Sequence, residues 1–481
     1  MDKTTENLVN KINAKLKDHN LFYFARDIER ALGLEEILQN YKIACIEDSY
    51  IANQVSKRID VFCSDKEGIK LENFSTLDLV KNEKVQQWVK KQSPSKFYAM
   101  LFQFNKPTQK VIEELGGIVL NNNPDLNRLF ETKFSQFRIF EKNNLPIPKS
   151  FLVQSEKTNF DEICSKLNSA SFIIQLDRAH TGSGTFFIRT KENWDNFIKD
   201  YNGNEIKVSE MITGDAFTIN GCITKKGVFV SGLQYQITGY PELTSGEGST
   251  VGNDWSYGYE SQTADVRRQI HNLVKRVGEI MKTYDYRGMF GIDLIVRNDE
   301  IFLIEINARQ TANIPMQTKL EIHAGVVPLM LLHIAEFMNV EIDIEPSSEL
   351  TKLEGAQVFL RAKNDNFKIN FELKSGVYRL QSDNSARKWE KTEEGMTIEG
   401  MKEGVILIDE EGDKPLIWQK DGYSVNDLKD GGFILLIQKR NLVKAKFEEI
   451  ARMQFKNGII HGGKIAPWIL ETMETIEGML K

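Results

Sequence analysis

The sequence has few of the residues that build zinc sites and disulfide frameworks. Four of its 481 residues are cysteines, and none of them belongs to a Cys-x-x-Cys pair. Neither a zinc site nor a disulfide scaffold is therefore expected. Sparse, unpaired cysteines are typical of proteins in a reducing compartment, and the predicted location is cytoplasmic.

The sequence also lacks an excess of positive charge and a long apolar run. Its 62 basic and 68 acidic residues give a net charge of −6, which argues against a general nucleic-acid-binding protein. No stretch of about 18 apolar residues is present, so no membrane-spanning helix is expected. The first residues, Met-Asp-Lys-Thr-Thr-Glu, have no apolar core, so no signal peptide is expected either.

Two familiar catalytic and cofactor motifs are missing as well. No Ser-His-Asp or Cys-His arrangement is evident, so no covalent enzyme nucleophile is indicated. No Gly-x-Gly-x-x-Gly follows the apolar run at 41–46, which is predicted to be the first strand. A dinucleotide site at that strand is therefore not expected.

What the sequence does contain is a hairpin pattern at 288–309. Two apolar, β-branched runs flank a polar Asn-Asp-Glu turn at 298–300. If that loop has three residues centred on Asp299, then Asp293 and Glu305 lie six residues to either side, directly opposite each other and on one face. A two-residue turn would instead put the two carboxylates on opposite faces.

Polar side chains in these apolar strands point to a metal site. Asn307 shares a face with Glu305, because side chains alternate along a strand. Together with Asp293 they offer two carboxylates and an amide oxygen. These are hard ligands of the kind that Mg²⁺ prefers, with substrate phosphates completing its shell. The alternative is a buried polar pair that backbone donors satisfy.

The length suggests about three domains. Residues 1–40 have apolar residues at helical spacing, and the short apolar runs that follow, with helical segments between them, indicate a small parallel α/β unit. An Asn-Asn-Asn-Pro run ends this unit, so its predicted span is 1–124. The predicted strands are 41–46, 59–63, 97–104 and 117–120.

The next unit is predicted to span 125–345. It opens with a helix over about 124–143 that carries Lys133, and a Leu-Pro-Ile-Pro run then forces an extended exit. A smaller subdomain is expected at about 150–212. Within it, the small residues of a Gly/Ser-rich loop at 177–185 would let backbone N–H groups approach a phosphate, although an ordinary flexible hairpin has the same pattern.

The remaining chain contains a long loop and a C-terminal unit. The Gly/Ser/Thr-rich segment 239–255 is typical of a lid or substrate loop, with disorder as the alternative. Its candidate contacts are Glu242, Glu247 and Trp255. After a Glu/Ser/Pro linker, an α+β unit is predicted over 346–481, with short strands followed by helices at about 441–453 and 467–481.

In their order along the chain, these elements resemble the ATP-grasp superfamily of ATP-dependent carboxylate–amine and carboxylate–thiol ligases. The resemblance covers about residues 110–330 and, more loosely, the whole chain. The combination is far more specific than any one element, and the hairpin is the strongest of them. The matching residues are Glu131-Thr132-Lys133 with the Leu-Pro-Ile-Pro run, the Gly182-Ser183-Gly184 loop, the Ser209-Glu210 strand end, and Asp293 with Glu305-Ile306-Asn307-Ala308-Arg309.

The resemblance implies a multidomain α/β and α+β fold and a set of roles. Two subdomains would grasp ATP between them, after a pre-ATP-grasp α/β domain and before a C-terminal α+β domain like that of biotin-carboxylase-like members. Lys133 would contact nucleotide phosphate, and Arg309 would face the acyl-phosphate region. The metal ligands of one or two Mg²⁺ ions, or of Mn²⁺ as the alternative ion, would be Asp293, Glu305 and Asn307. The nucleotide-binding residues would be Lys133, Gln175, Arg178, Gly182, Ser183, Gly184, Ser209, Glu210, Met211, Ile212 and Asp215.

One residue departs from the family pattern in a way that matters. The family usually has a lysine on the strand before the glycine loop, where this sequence has Gln175. Glutamine donates a hydrogen bond but carries no charge, and Arg178 is the nearby residue that could replace the lysine. Replacing Gln175 by lysine is predicted to retain or raise ATP affinity. Ala308, where proline is common, is a milder departure.

The predicted function is an ATP-dependent amino acid or peptide ligase. It would activate a carboxylate as an acyl phosphate and join it to an amine, a task of positioning and charge neutralisation. The alternatives are an ATP-dependent carboxylase, a purine-pathway-like ligase, and a non-catalytic nucleotide-binding regulator that lost activity through Gln175. A carboxylase would normally need a biotin carrier, and no Met-Lys-Met motif occurs. The expected partners are small-molecule substrates, and a homodimer through the N-terminal helices or the pre-ATP-grasp domain is a further hypothesis.

Overall fold

The computed structural model describes the chain except for residues 72, 103, 178–183, 371–372, 381–388, 393–394, 399–404, 407–415, 430 and 440–441. Its helices are α1 (Lys3–Leu16), α2 (Tyr50–Val55), α3 (Thr76–Lys81), α4 (Glu83–Gln92), α5 (Lys106–Glu114), α6 (Pro124–Glu131), α7 (Lys133–Lys142), α8 (Phe160–Leu167), α9 (Lys191–Tyr201), α10 (Trp255–Glu260), α11 (Ala264–Lys282), α12 (Ile314–His323), α13 (Leu329–Phe337) and α14 (Pro467–Leu480). Within this described part of the chain, none of the helices is both long and apolar enough to cross a membrane.

The described strands come from all parts of the chain. They are β1 (Leu21–Ala25), β2 (Tyr41–Cys45), β3 (Val61–Cys63), β4 (Phe97–Leu101), β5 (Gly117–Val119), β6 (Ser150–Gln154), β7 (Phe172–Gln175), β8 (Thr185–Ile188), β9 (Glu205–Glu210), β10 (Asp215–Thr224), β11 (Gly227–Val230), β12 (Gln234–Thr238), β13 (Thr250–Asp254), β14 (Gly288–Arg297), β15 (Glu300–Asn307), β16 (Ala356–Arg361), β17 (Phe367–Lys368), β18 (Gly376–Leu380), β19 (Trp389–Thr392), β20 (Gly395–Ile398), β21 (Val405–Ile406), β22 (Leu416–Lys420), β23 (Phe433–Ile437), β24 (Val443–Lys444), β25 (Glu449–Phe455), β26 (Ile460–His461) and β27 (Lys464–Ile465). Most of them belong to three sheets.

The first sheet is parallel and has the strand order β3-β2-β1-β4-β5, which confirms the predicted α/β unit. Its central strand, Leu21–Ala25, is buried along its whole length. The prediction that residues 1–40 are helical is wrong at this strand. A parallel strand covered on both faces is apolar throughout, so its sequence has no alternation that distinguishes it from a buried helix.

The single helix predicted over 124–143 is two helices, α6 and α7, because Thr132 between them has an extended backbone (φ −76°, ψ 135°). Helix α7 begins at Lys133, whose N–H donates to the main-chain oxygen of Asp177 at 3.2 Å. The N–H of Phe134 donates to the Asp177 carboxylate at 3.0 Å. Asp177 therefore caps the helix, and the break fixes Lys133 beside the end of β7.

The second sheet is small and antiparallel, with the order β6-β9-β7-β8. One of its faces packs Ile174, Ile206 and Val208 against helices α8 and α9. Because side chains alternate along a strand, Gln175 and Lys207 lie on the opposite face. This face is directed away from the small subdomain's own core.

The third sheet is antiparallel and continuous, with the order β15-β14-β10-β12-β13-β16-β25-β23-β18-β22-β21, and β11 also pairs with β10. The strands after residue 350 therefore extend the sheet that contains the β14–β15 hairpin, which is predicted to bind a metal ion. The helix predicted at 441–453 is wrong, because Glu449–Phe455 is a strand between β16 and β23. Its Glu, Ala, Arg, Met and Gln residues favour a helix locally, and pairing on both edges overrides that preference.

Candidate functional site

The turn of the β14–β15 hairpin is shorter than predicted. Arg297 pairs with Glu300 across a two-residue loop, Asn298 and Asp299. Both loop residues have positive φ, 50° and 66°, as a type I′ turn requires. The three-residue loop predicted from the sequence is therefore wrong. With regular pairing, a two-residue turn would put the two carboxylates on opposite faces.

A β-bulge on β15 restores the predicted arrangement. Leu294 pairs with Leu303, but the next pair is Asp293 with Glu305, so Ile304 is an extra residue. One extra residue moves every later side chain of the strand to the other face. The pairing of the two carboxylates is thus confirmed, and its cause is the bulge.

The carboxylate pair is surrounded by hydrogen-bond donors. The ammonium of Lys133 donates to Glu305. The amide nitrogen of Asn307 lies 3.1 Å from Asp293 Oδ2 and 3.4 Å from Glu305 Oε1. Lys133, Asp293, Glu305 and Asn307 therefore form one cluster, with positive or partly positive groups placed against two carboxylates.

Two neutral residues that the sequence predictions missed complete the cluster. The hydroxyl of Thr218 on β10 donates to Asp293 Oδ1 at 2.5 Å, and the amide of Gln236 on β12 donates to the same atom at 2.8 Å. They hold one oxygen of Asp293, while Asn307 contacts the other. Thr218 has the same signal in the sequence as Asp293, a polar residue between apolar ones in a strand, whereas Gln236 belongs to a strand in which polar and apolar residues alternate.

The two carboxyl groups differ in their affinity for a proton. Burial and the neighbouring Glu305 raise the pKa of Asp293 to about 7. Burial also opposes ionisation of Glu305, but the Lys133 ammonium outweighs it and lowers the pKa of Glu305 to about 2. Two carboxylates this close are both ionised only when a cation compensates them.

The cluster differs from an all-acidic metal site. Across the described ranges, no group of three or more His, Cys, Asp or Glu side chains is placed to hold a metal ion. Asp293 and Glu305 are two carboxylates, so a metal ion here would depend on Asn307 and on ligand oxygens for the rest of its shell. That division between protein and phosphate oxygens is typical of Mg²⁺.

Arg309 connects this cluster to the first sheet. Its Nη2 donates to Asn307 Oδ1 at 3.3 Å, and its Nε lies 3.0 Å from Glu131 Oε1. The guanidinium also lies 5.2 Å from the ring centroid of Phe102, which follows β4. Arg309 thus adds a positive charge next to the carboxylate pair, on the side of the N-terminal unit.

Gln175 has a partner that the sequence predictions missed. Lys207 on β9 lies directly opposite Gln175 on β7, and its ammonium donates to Gln175 Oε1 at 3.1 Å. Burial and the neighbouring Lys133 lower the pKa of Lys207 to about 8. A lysine between two apolar residues, Ile206 and Val208, was the available signal, since alternation places it on the open face.

The other nucleotide-binding candidates lie along the connection between the small sheet and the large one. These are Ser209, Glu210, Met211, Ile212 and Asp215. Ser209 accepts a hydrogen bond from Ser150 at 2.9 Å, and the Glu210 carboxylate lies 3.5 Å from Arg297. Burial raises the pKa of Asp215 at the start of β10. Their role in nucleotide binding stays a prediction.

The glycine loop is described only at its ends. Gly184 accepts a hydrogen bond from the N–H of Leu176 at 3.0 Å, which closes the base of the loop. Arg178, Gly182 and Ser183 lie outside the described residues. Their predicted phosphate contacts therefore stay predictions.

The segment 239–255 is more ordered than a free loop. Its last part is strand β13, and Trp255 is completely buried at the start of α10. The suggestion that Trp255 contacts substrate is therefore wrong, because its ring is packed in the core. Glu247 lies 3.0 Å from Arg189 of the small subdomain, so this segment links the two sheets.

Comparison with known proteins identifies the domain that carries the cluster. Residues 130–313 match the sequence profile of the ATP-grasp domain family. This part of the chain therefore resembles an ATP-grasp domain. This match spans the carboxylate pair, Lys133, Lys207 and Arg309, and it confirms the resemblance inferred from the sequence. No curated protein matches the sequence.

Solved structures extend the similarity beyond the ATP-grasp domain. An N5-carboxyaminoimidazole ribonucleotide synthetase in complex with ADP is 12% identical, with a TM-score of 0.52, over 95% of this chain and 96% of that chain. The biotin carboxylase domain of Hydrogenobacter thermophilus 2-oxoglutarate carboxylase, in complex with MgADP, ADP and bicarbonate, is 11% identical, with a TM-score of 0.55, over 91% and 86%.

A third structure agrees with these two. The Aspergillus clavatus N5-carboxyaminoimidazole synthase, in complex with ADP and 5-aminoimidazole ribonucleotide, is 9% identical, with a TM-score of 0.52, over 96% of this chain and 100% of that chain. At such identities the likeness establishes the fold. The α/β unit, the region 130–313 and the C-terminal strands together therefore share the fold of these structures.

Proposed function

We propose that this protein is an ATP-dependent ligase that activates a carboxylate as an acyl phosphate and joins it to an amine. The observation that supports this most directly is the cluster on the large sheet. Asp293 and Glu305 face each other, and the Lys133 ammonium donates to Glu305. The two carboxylates would hold a divalent cation, and that cation and the Lys133 ammonium would neutralise the phosphates of a nucleotide, which is the main task in phosphoryl transfer.

The nucleotide would lie between the small sheet and the large sheet. Its base and ribose would contact the connection from Ser209 to Asp215, and its phosphates would extend toward Lys133 and the carboxylate pair. The Gly182-Ser183-Gly184 loop would cover the phosphates. The positions of β9 and β10, which end and begin at that connection, support this proposed orientation.

A Mg²⁺ ion would be held by Asp293, Glu305 and Asn307, with Mn²⁺ as the alternative ion. The residues fit a cation, since the Lys133 ammonium and the Asn307 amide nitrogen already lie against the two carboxylates. When bound, the ion would neutralise phosphate charge and hold the reacting phosphate in place.

The reaction proposed for this site has two steps. A substrate carboxylate oxygen attacks the γ-phosphorus of ATP, the bond to the β–γ bridging oxygen breaks, and ADP leaves. The amine then attacks the acyl carbon, the carbon–oxygen bond to phosphate breaks, and the amine nitrogen loses a proton. Arg309, which is bonded to Asn307 and Glu131, would stabilise the negative charge that develops on the transferring group.

The domain division that we propose is 1–124, 125–345 and 346–481. The parallel sheet ends at Val119, and the small sheet occupies residues 150–210. The substrates are small molecules, a homodimer through the N-terminal helices is the proposed assembly, and the cytoplasm is the proposed location.

The proposed function is tested by incubating the full chain with Mg-ATP and pools of carboxylic acids and amines, and measuring ADP. Hydroxylamine added in place of the amine traps an acyl phosphate as a hydroxamate, and the product mass identifies the acid. Bicarbonate in a separate reaction tests the carboxylase alternative. If ATP binds but no acid, bicarbonate included, stimulates ADP formation, the ligase proposal fails and the protein is a nucleotide-binding regulator.

A further inference from the structure

Lys207 is a buried cation, and its hydrogen-bond partner Gln175 is neutral. Its exposed fraction is 7%, that of Gln175 is 8%, and its ammonium donates to the Gln175 amide oxygen at 3.1 Å. A buried ammonium is stable only where nearby negative charge compensates it. An amide oxygen orients the group but brings no charge.

The surrounding protein does not supply enough negative charge. Among the described residues, Glu305 is the carboxylate that attracts Lys207, and Glu305 is already bonded to Lys133. The loop at 178–183 reads Arg-Ala-His-Thr-Gly-Ser and contains no acidic residue. Lys133 and Lys207 therefore both depend on Glu305 for compensation, and an anion bound between the two sheets would compensate Lys207.

The position of Lys207 is also informative. Directly opposite residues of an antiparallel pair share a face, so Lys207 and Gln175 occupy neighbouring places on the open face of the small sheet. Lys133 and Glu305 lie across from this face, on α7 and β15. A group bound between the two sheets would meet Lys207 from one side and the carboxylate cluster from the other.

We propose that Lys207 is the lysine of the small sheet that binds nucleotide phosphate, and that Gln175 holds it in place. The positive charge of this sheet thus stands on β9 instead of β7, one strand away from its expected position. This inference rests on the proposed function, because it assumes that the anion between the sheets is a nucleotide. It also removes the reason to consider the site degenerate at Gln175.

The first test compares the binding of ADP and adenosine by calorimetry in the full chain with Mg²⁺ present. Replacement of Lys207 by Gln should weaken ADP binding about 10- to 100-fold, the range expected for one hydrogen bond to a charged group. Adenosine, which has no phosphate, should bind with unchanged affinity. Lys207→Met, which keeps the aliphatic stem, should give the same result and guards against a folding defect in the first variant.

The matched control is Lys199→Gln on helix α9 of the same subdomain. Lys199 is exposed and donates to Asn196 at 2.8 Å, so this variant should bind ADP like the wild type. The decisive variant exchanges the two residues, as Gln175→Lys combined with Lys207→Gln. It should recover ADP affinity to within about fivefold of the wild type, because the charge stays on the same patch of the sheet.

Each contrary result has a distinct meaning. Unchanged ADP affinity in both folded Lys207 variants overturns the assignment of Lys207. An equal loss of ADP and adenosine affinity also overturns it, since that pattern indicates a structural role. A folded exchange variant that stays as weak as Lys207→Gln shows that the two strand positions are not equivalent. If the wild type binds neither ADP nor ATP, the proposed function itself fails.

Discussion

Asp293 lies directly opposite Glu305, although the turn between their strands has two residues and regular pairing would separate them. The unpaired residue Ile304 shifts the pairing by one position and so brings the two carboxylates opposite each other. Main-chain bonds support the strand around this bulge: the N–H of Leu303 donates to Pro146 O at 2.6 Å. The position of the carboxylates therefore depends on local irregularity as much as on the residues themselves.

Replacing either carboxylate should remove turnover and preserve the fold. Asp293→Asn and Glu305→Gln are each expected to lower Mg-dependent ADP formation by at least about 100-fold, because the phosphates lose their charge compensation. Thermal unfolding of each variant checks the fold. Glu300→Gln, at the exposed end of the same hairpin, is the control and should keep full activity. Normal turnover in both carboxylate variants would contradict the metal assignment.

Gln136 should be needed to hold the bulged strand. Its side-chain amide donates to Ile306 O at 2.8 Å and accepts from Ile306 N at 3.2 Å, between Glu305 and Asn307. Gln136→Leu leaves two buried main-chain groups without partners and should cost about 1–3 kcal/mol of unfolding free energy. It should also raise the Mg²⁺ concentration needed for ADP binding. Denaturant unfolding and calorimetry measure the two effects, and an unchanged Mg²⁺ requirement would refute the link.

The stability of the ligand-free protein should fall as the pH rises through about 7. The pKa of Asp293 is raised from 3.8 to about 7 by burial and by Glu305, so the folded state binds this proton more tightly than the unfolded state does. This contribution to stability is therefore fully present below about pH 3.8, is lost as the pH rises toward 7, and changes little above 7. The lowered pKa of Glu305 affects the stability only below about pH 4.5, which is below the pH values of the measurement.

The measurement is the unfolding temperature at pH 6 and pH 8, with and without Mg-ADP. Without ligand, the wild type should lose stability between the two values, and Asp293→Asn should lose less. Mg-ADP should reverse the trend, because Mg²⁺ prefers the ionised carboxylate. The same pH dependence in both proteins would exclude Asp293 as its source.

Gln175→Lys alone should destabilise the ligand-free protein. The new ammonium would lie beside Lys207, which is buried and already close to Lys133. The unfolding temperature should therefore fall, and ADP should restore more stability to this variant than to the wild type. Thermal unfolding with and without ADP checks this, and an unchanged apo unfolding temperature would contradict it.

Local patterns predicted much of the site. Polar residues in otherwise apolar strands identified Asp293, Glu305 and Asn307, and Lys133 came from its place in the ordered motifs. The same reasoning failed where a strand had no alternation of polar and apolar residues, or where its residues favour a helix. Leu21–Ala25 is uniformly apolar, and Glu449–Phe455 is rich in helix-forming residues that pair as a strand on both edges.

The sequence by itself determined the candidate groups of the site: which strands carry carboxylates, which segment carries Lys133, and the order of the elements that resemble those of ATP-grasp proteins. Only the tertiary structure decided which side chains meet. The bulge at Ile304 and the pairing of Gln175 with Lys207 depend on partner strands, and register is fixed by burial and by pairing between distant segments. No single stretch of sequence contains that information.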